Sequence, residues 1–231
     1  MSAGISLALV LVAAFLASPA AAARLPDPRI PSWEVSNFEE ANSSVWALYR
    51  LAVCVRDERG SASEAYLRTS PGSPEERAAL PLIPPPGKDK CLTRTDRLVI
   101  RNHNLLRGAI AEAFYNGSAA RPRFPAALPE AVEAAMPQSD AMAPAQRVGR
   151  VVGACSARRS PMLAHTALQF NPGGIGELRA LKALGPTFLS CLPAGTSLRV
   201  SRLSIRASLA EALYHAWRTY PALFSARPAD A

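Results

Sequence analysis

Two stretches, Leu106–Tyr115 (LRGAIAEAFY) and Ile205–Tyr214 (IRASLAEALY), decide how this chain is read. Arg107 matches Arg206, Ala111-Glu112-Ala113 matches Ala210-Glu211-Ala212, and Tyr115 matches Tyr214. Working outward, Cys91-Leu92 matches Cys191-Leu192, Pro71-Gly72 matches Pro172-Gly173, Glu76 matches Glu177, and Ala79-Leu80 matches Ala180-Leu181. Cys54 and Cys155 complete the set, and the offset stays at 99–101 throughout. One such match could arise by chance in an alanine-rich chain. The whole series in the same order implies an internal duplication, with units at about 45–117 and 147–219.

The units read as helical. Ser36 and Glu39 form a capping-box pattern. Phe38, Ala41, Val45, Leu48, Tyr49, Ala52 and Val53 then follow at helical spacing, with Cys54 beside the stripe. A short second helix is expected in each unit, opened in the second by Ser160-Pro161. Pro71-Gly72 and Pro172-Gly173 mark turns. A third helix starts at Ser73–Glu76, and its counterpart runs through Leu178, Leu181 and Leu184. Residues 98–100 and 198–200 are short extended segments expected to pair as a small ribbon. The last helix shows the clearest apolar face, at Leu209, Ala210, Leu213, Tyr214 and Trp217, with Ser201 or Asn102 as cap. The expected class is all-α: two tandem, similar helical units with at most a short β-ribbon. The expected division is 1–23, 24–117, a Pro/Ala-rich linker or strap at 118–146, and 147–231.

The N-terminus points to a compartment. Ile5–Leu16 (ISLALVLVAAFL) is twelve uncharged residues, short of the roughly twenty a membrane span needs. Ala20–Ala23 follows with small residues at the A-x-A positions of a secretory cleavage site. A cleaved signal over 1–23 is therefore expected, with no later transmembrane segment and a periplasmic or secreted location. Export places the cysteines in an oxidising compartment. Four cysteines allow three pairings. The duplication selects one, because an ancestral unit with two cysteines joins them to each other: Cys54–Cys91 and Cys155–Cys191. Each closes a loop of nearly forty residues, worth about 3–4.7 kcal/mol in the chain-entropy treatment.

The 231 residues carry a formal charge of +8, and 23 of the 26 basic residues are arginine. The arginines are scattered, with no basic stripe or nucleic-acid fold motif, so nucleic acid is not an expected partner. An exported basic protein instead meets anionic envelope components or envelope proteins. The three histidines lack ligand spacing, and no C-x-x-C, H-E-x-x-H or G-x-S-x-G motif occurs, so no metal or cofactor is expected. Gly173–Gly176 lacks the Lys-Ser/Thr of a phosphate loop and reads as a turn.

The duplicated Glu112, Glu211, Arg107 and Arg206 are the best candidates for chemistry. Glu112 and Glu211, brought together across a pseudo-two-fold axis, could serve as acid and base in glycoside cleavage. The arginines are candidate binding residues. The plainer reading pairs each glutamate with the arginine of its own unit in a structural ion pair.

The pattern C…P-G…E…A-L…C-L…R-x-x-[LI]-A-E-A-[FL]-Y, present twice over 45–219, resembles small exported proteins of unknown function from GC-rich Gram-negative bacteria. The resemblance implies export, helical units and intramolecular disulfides, and brings no activity with it. The expected function is a non-catalytic binding or structural module of the cell envelope; the alternative is a periplasmic glycan hydrolase using the duplicated glutamates.

Overall fold

The computed structural model of the chain describes residues 32–36, 42–83, 91, 103–117, 124–137 and 140–224, with the backbone alone for 32–36, 42–44 and 197–199. The expected signal segment, the extended segment 98–100, Phe38, Ala41 and Asn102 lie outside these residues.

Strand β1 (Ser32–Ser36) precedes a long helix α1 (Asn42–Arg68). Ser36 thus closes a strand, and the helix begins at Asn42 rather than at the expected box. Helix α1 is broken at Arg59, whose backbone (φ −136°, ψ 37°) is not helical. Gly60-Ser61 follows directly, a pair that tolerates a kink. The buried Ser63 hydroxyl donates to the Val55 carbonyl (3.3 Å), the acceptor an unbroken helix would offer to Arg59. The second helix expected near Ala65–Leu67 is therefore the distal arm of α1.

Helix α2 (Pro74–Ala79) starts as its sequence demands. Ser73 caps it, its hydroxyl accepting from the Glu76 N–H (3.1 Å), with proline in the first turn. A 3₁₀ turn (Leu80–Leu82) and helix α3 (His103–Gly117) follow. Between 117 and 146, a short helix α4 (Ala131–Ala134) buries Val132, and Leu128 and Met136 are buried beside it. Leu128 N–H donates to the Arg158 carbonyl (2.8 Å), so the part of this stretch described at 124–137 packs onto the helices.

Helix α5 (Pro144–Arg159) begins three residues before the expected unit boundary. It ends at Ser160 (φ −139°, ψ 59°), where the following proline disfavours helical backbone. Helix α6 (Pro161–Gln169), helix α7 (Ile175–Ala183) and helix α8 (Gly185–Cys191) come next. Leu184 lies at the α7–α8 junction instead of continuing one helix. Strand β2 (Ser197–Ser201) leads into helix α9 (Arg202–Thr219), capped by the Ser201 hydroxyl accepting from the Ser204 N–H (3.1 Å).

The expected ribbon is corrected. β2 pairs in parallel with β1, Ser32 opposite Ser197 and Ser36 opposite Ser201, so the partner comes from the start of the described chain and not from 98–100. The protein is mostly helical, in line with the expected class. Its centre is the packing of α3 on α9, with α1 outside α3 and α5 against α9. The backbones approach closely where a side chain is missing. A Cβ on Gly108 would lie 2.2 Å from the Ala207 Cβ, and one on Gly153 would lie 2.4 Å from the Ser208 Cβ.

Both expected disulfides are present, Cys54–Cys91 (Cα–Cα 5.3 Å) and Cys155–Cys191 (5.8 Å). They tie α1 and α5 to the segments 37 and 36 residues downstream.

Candidate functional site

Arg107 lies in the second turn of α3, on the face turned toward α9, and is fully buried. Burying a guanidinium requires partners for all its donors. The C-terminal end of α1 supplies most of them. Arg107 Nη1 donates to the Tyr66 carbonyl (2.9 Å), and Nη2 to the carbonyls of Leu67 (2.8 Å) and Thr69 (3.0 Å). Tyr66 and Leu67 lie in the last turn of α1, whose carbonyls the helix ladder itself leaves without partners, at the helix's negative end. Nη1 also meets Glu76 Oε1 (3.2 Å), while Nε and Nη2 both reach Glu211 Oε1 (3.1 and 3.0 Å).

Arg206, in the second turn of α9, does the same at the end of α6. It donates to the carbonyls of Ala167 and Leu168 (3.0 Å each), to Glu177 Oε1 (3.0 Å), and in a bidentate fork to Glu112 (2.8 and 2.5 Å). Glu76 and Glu177 carry the link onward to the turns: Glu76 Oε2 accepts the Gly72 N–H (2.6 Å), and Glu177 Oε2 the Gly173 N–H (2.8 Å). Gly72 and Gly173 both adopt positive φ (77° and 79°), the left-handed backbone that glycine accommodates without strain. The glycine-rich loop thus spends the Gly173 amide on Glu177.

The candidate residues are therefore brought together in a crossed pattern. The plainer reading placed each glutamate with its own unit's arginine. Instead Glu112 on α3 takes Arg206 on α9, and Glu211 on α9 takes Arg107 on α3. The reason is geometric. The helices meet at Gly108 and Ala207, so the residue beside each contact point faces the other helix, while an arginine and glutamate five positions apart on one helix diverge.

The two clusters differ in charge. Glu211 also accepts from Arg150 on α5, at both oxygens, so Arg107 and Arg150 balance Glu76 and Glu211. In the other cluster, among the described residues, Arg206 is the one fully buried cation facing Glu112 and Glu177; Arg202, 3.8 Å from Glu177, is nearer the surface. Burial pushes both glutamates up. At Glu211 the Arg150 and Arg107 guanidiniums overcome it and hold the carboxyl well below the usual range. At Glu112 burial outweighs Arg206, and the carboxyl is raised. Tyr49, in the neighbouring turn of α1, is raised well above its ordinary value by burial and by Glu112, and the Arg206 guanidinium lies over its ring at 5.3 Å.

Sequence reasoning missed three of these participants. Glu76 and Glu177 were visible as a matched pair, but nothing in their spacing ties them to the arginines. At the same sequence offset Arg150 falls opposite Tyr49, so matching for identity gives no signal there.

A glycoside-cleaving pair needs carboxyls that reach a substrate. Glu112 and Glu211 are buried, and every carboxylate oxygen is engaged by a guanidinium. A cavity of about 200 Å³ adjoins the cluster, lined by Gln146, Gly149, Arg150, Ser201, Ser204 and Ser208 among others, and neither glutamate lines it. Among the described residues there is no cluster of metal-ligating side chains, and no helix is long and apolar enough to cross a membrane. His165 Nδ1 pairs with the Tyr115 hydroxyl (2.9 Å), and His215 Nε2 is 3.8 Å from Glu211. Comparison with family models, with curated proteins and with solved structures finds no match.

Proposed function

We propose that this is an exported envelope protein of two tandem, related helical units, acting as a binding or structural module and not as an enzyme. It would belong with the exported proteins that carry the duplicated cysteine and R-x-x-[LI]-A-E-A-[FL]-Y pattern. The observation that carries the non-catalytic reading is the consumption of Arg107, Arg206, Glu112 and Glu211 in buried ion pairs and helix-end caps. The tandem reading draws support from paired features: kinks at Arg59 and Ser160, left-handed glycines at 72 and 173, and matched partners around Arg107 and Arg206. Export draws support from the 1–23 segment and from two disulfides, which persist in oxidising compartments.

Fractionation of expressing cells tests it. The expected product appears in the periplasmic fraction, has lost about 23 residues by mass, and shows no free thiols. Its pull-down from periplasm retains an envelope component. A cytosolic product of full mass with four titratable thiols would overturn the reading.

A further inference from the structure

A helix at a protein surface is ordinarily apolar on one side. Helix α6 is apolar on two. Pro161, Ala164, Ala167 and Leu168 are buried. On the outer side Met162 is 50% exposed, Leu163 37%, and Phe170, just past the helix end, 42%; Ile175, across the turn at the start of α7, is 64% exposed. The helix's three polar side chains are engaged within the molecule. His165 pairs with Tyr115, the Thr166 hydroxyl donates to the Met162 carbonyl (2.8 Å), and the Gln169 amide donates to Asn116 Oδ1 (3.0 Å). Burial also lowers the His165 pKa, which favours an uncharged ring.

The adjoining charge has one sign. Ile175, Arg179 and Lys182 fall at i, i+4 and i+7, one face of α7, and both basic residues are exposed. The one acid between 161 and 183, Glu177, is buried under Arg206. The first half offers a comparison within the same chain. With Gly72 aligned on Gly173, the places of Met162, Leu163, Phe170 and Ile175 hold Ser61, Ala62, Thr69 and Pro74, and those of Arg179 and Lys182 hold Ala78 and Pro81. Like helices in the first half are built without this apolar and basic surface, so the fold does not require it.

We propose that the outer face of α6 and α7 docks the protein on an anionic lipid surface, with Phe170 and Ile175 entering the headgroup–acyl boundary and Arg179 and Lys182 pairing with lipid phosphates. Apolar side chains flanked by basic ones are the composition that holds helices in that boundary. The +8 charge of the chain favours an anionic bilayer over a neutral one. The proposal deepens the envelope reading and rests on it, because export brings this face to a membrane.

The test is co-sedimentation of the purified, oxidised protein with protein-free vesicles. One set is phosphatidylcholine; in the other, phosphatidylglycerol replaces part of it. Binding to the anionic vesicles alone, weakened by salt, is expected. Phe170→Ser with Ile175→Ser should weaken it about tenfold or more. Arg179→Ala and Lys182→Ala should each weaken it about fivefold. Arg77→Ala, on the corresponding helix of the first half, should leave it unchanged. Thermal melts confirm that each variant is folded. Absence of vesicle binding, or binding indifferent to the Phe170/Ile175 pair, overturns the proposal. So does binding to native envelope vesicles but not to protein-free ones, which would identify a protein partner. None of these results bears on export, which the fractionation reads separately.

Discussion

Arg107 and Arg206 show what a fully buried guanidinium needs. Each caps one helix end, meets a glutamate that braces a turn, and crosses to a glutamate on the other central helix. Removing one member of such a set leaves an uncompensated buried charge, which costs about 3–5 kcal/mol. Glu211 answers two guanidiniums, so Glu211→Gln should destabilise by that much in urea unfolding at neutral pH. Glu112 shares one buried guanidinium with Glu177, so Glu112→Gln should cost markedly less. The pH dependences have opposite signs. Glu211 is lowered in the folded state, so its stabilisation is present above the unfolded value near about 4.3 and is lost as pH falls below it. Glu112 is raised, so its contribution is present at low pH and is lost as pH rises through the folded value. Measured against the parent, the cost of Glu211→Gln should hold steady above about pH 4.3 and shrink below it, whereas that of Glu112→Gln should shrink as pH rises above about 4.3. The importance of these residues was legible from their recurrence. Their crossed pairing was not, because it depends on how two helices 99 positions apart cross.

At the scale of elements, helix starts were the most readable features: Ser73 caps α2 ahead of Pro74, and α6 begins at Pro161, although the Ser160 hydroxyl pairs with Thr187 instead of capping it. Strand pairing was the least readable: β1 and β2 are over 160 residues apart, and no local pattern names the partner. The α3–α9 contact depends on Gly108. In an open helix Gly→Ala stabilises by up to about 1 kcal/mol. At Gly108 the new Cβ meets the Ala207 backbone as well as its side chain (Cα 2.3 Å), and two central helices would have to separate. Gly108→Ala should therefore destabilise by about 1–3 kcal/mol. Gly60→Ala, with nothing within 4 Å of the new Cβ, should be neutral or slightly stabilising. Thermal melts of the two variants side by side check this difference in sign. The segment 117–146 could be seen as proline-rich, but composition cannot show that Leu128, Val132 and Met136 find core positions.

For the whole molecule, the disulfides secure each half internally, and the crossed ion pairs secure one half to the other. Replacing Cys155 and Cys191 by Ala should cost about 2–5 kcal/mol, as should replacing Cys54 and Cys91, read by urea midpoint under oxidising conditions. The pairing was legible because matching the cysteines by their sequence offset leaves one economical choice. The central claim is that the recurring Arg–Glu set is a clasp between α3 and α9 and not a pair of independent bridges or a catalytic dyad. A double-mutant cycle tests it most directly, using urea unfolding of Arg107→Lys, Glu211→Gln and their combination, beside a second cycle on Arg107 and Glu112. A coupling of about 1–3 kcal/mol between Arg107 and Glu211, against less than about 0.5 kcal/mol between Arg107 and Glu112, is the predicted result. Coupling confined to Arg107 and Glu112, or none in either cycle, would contradict it.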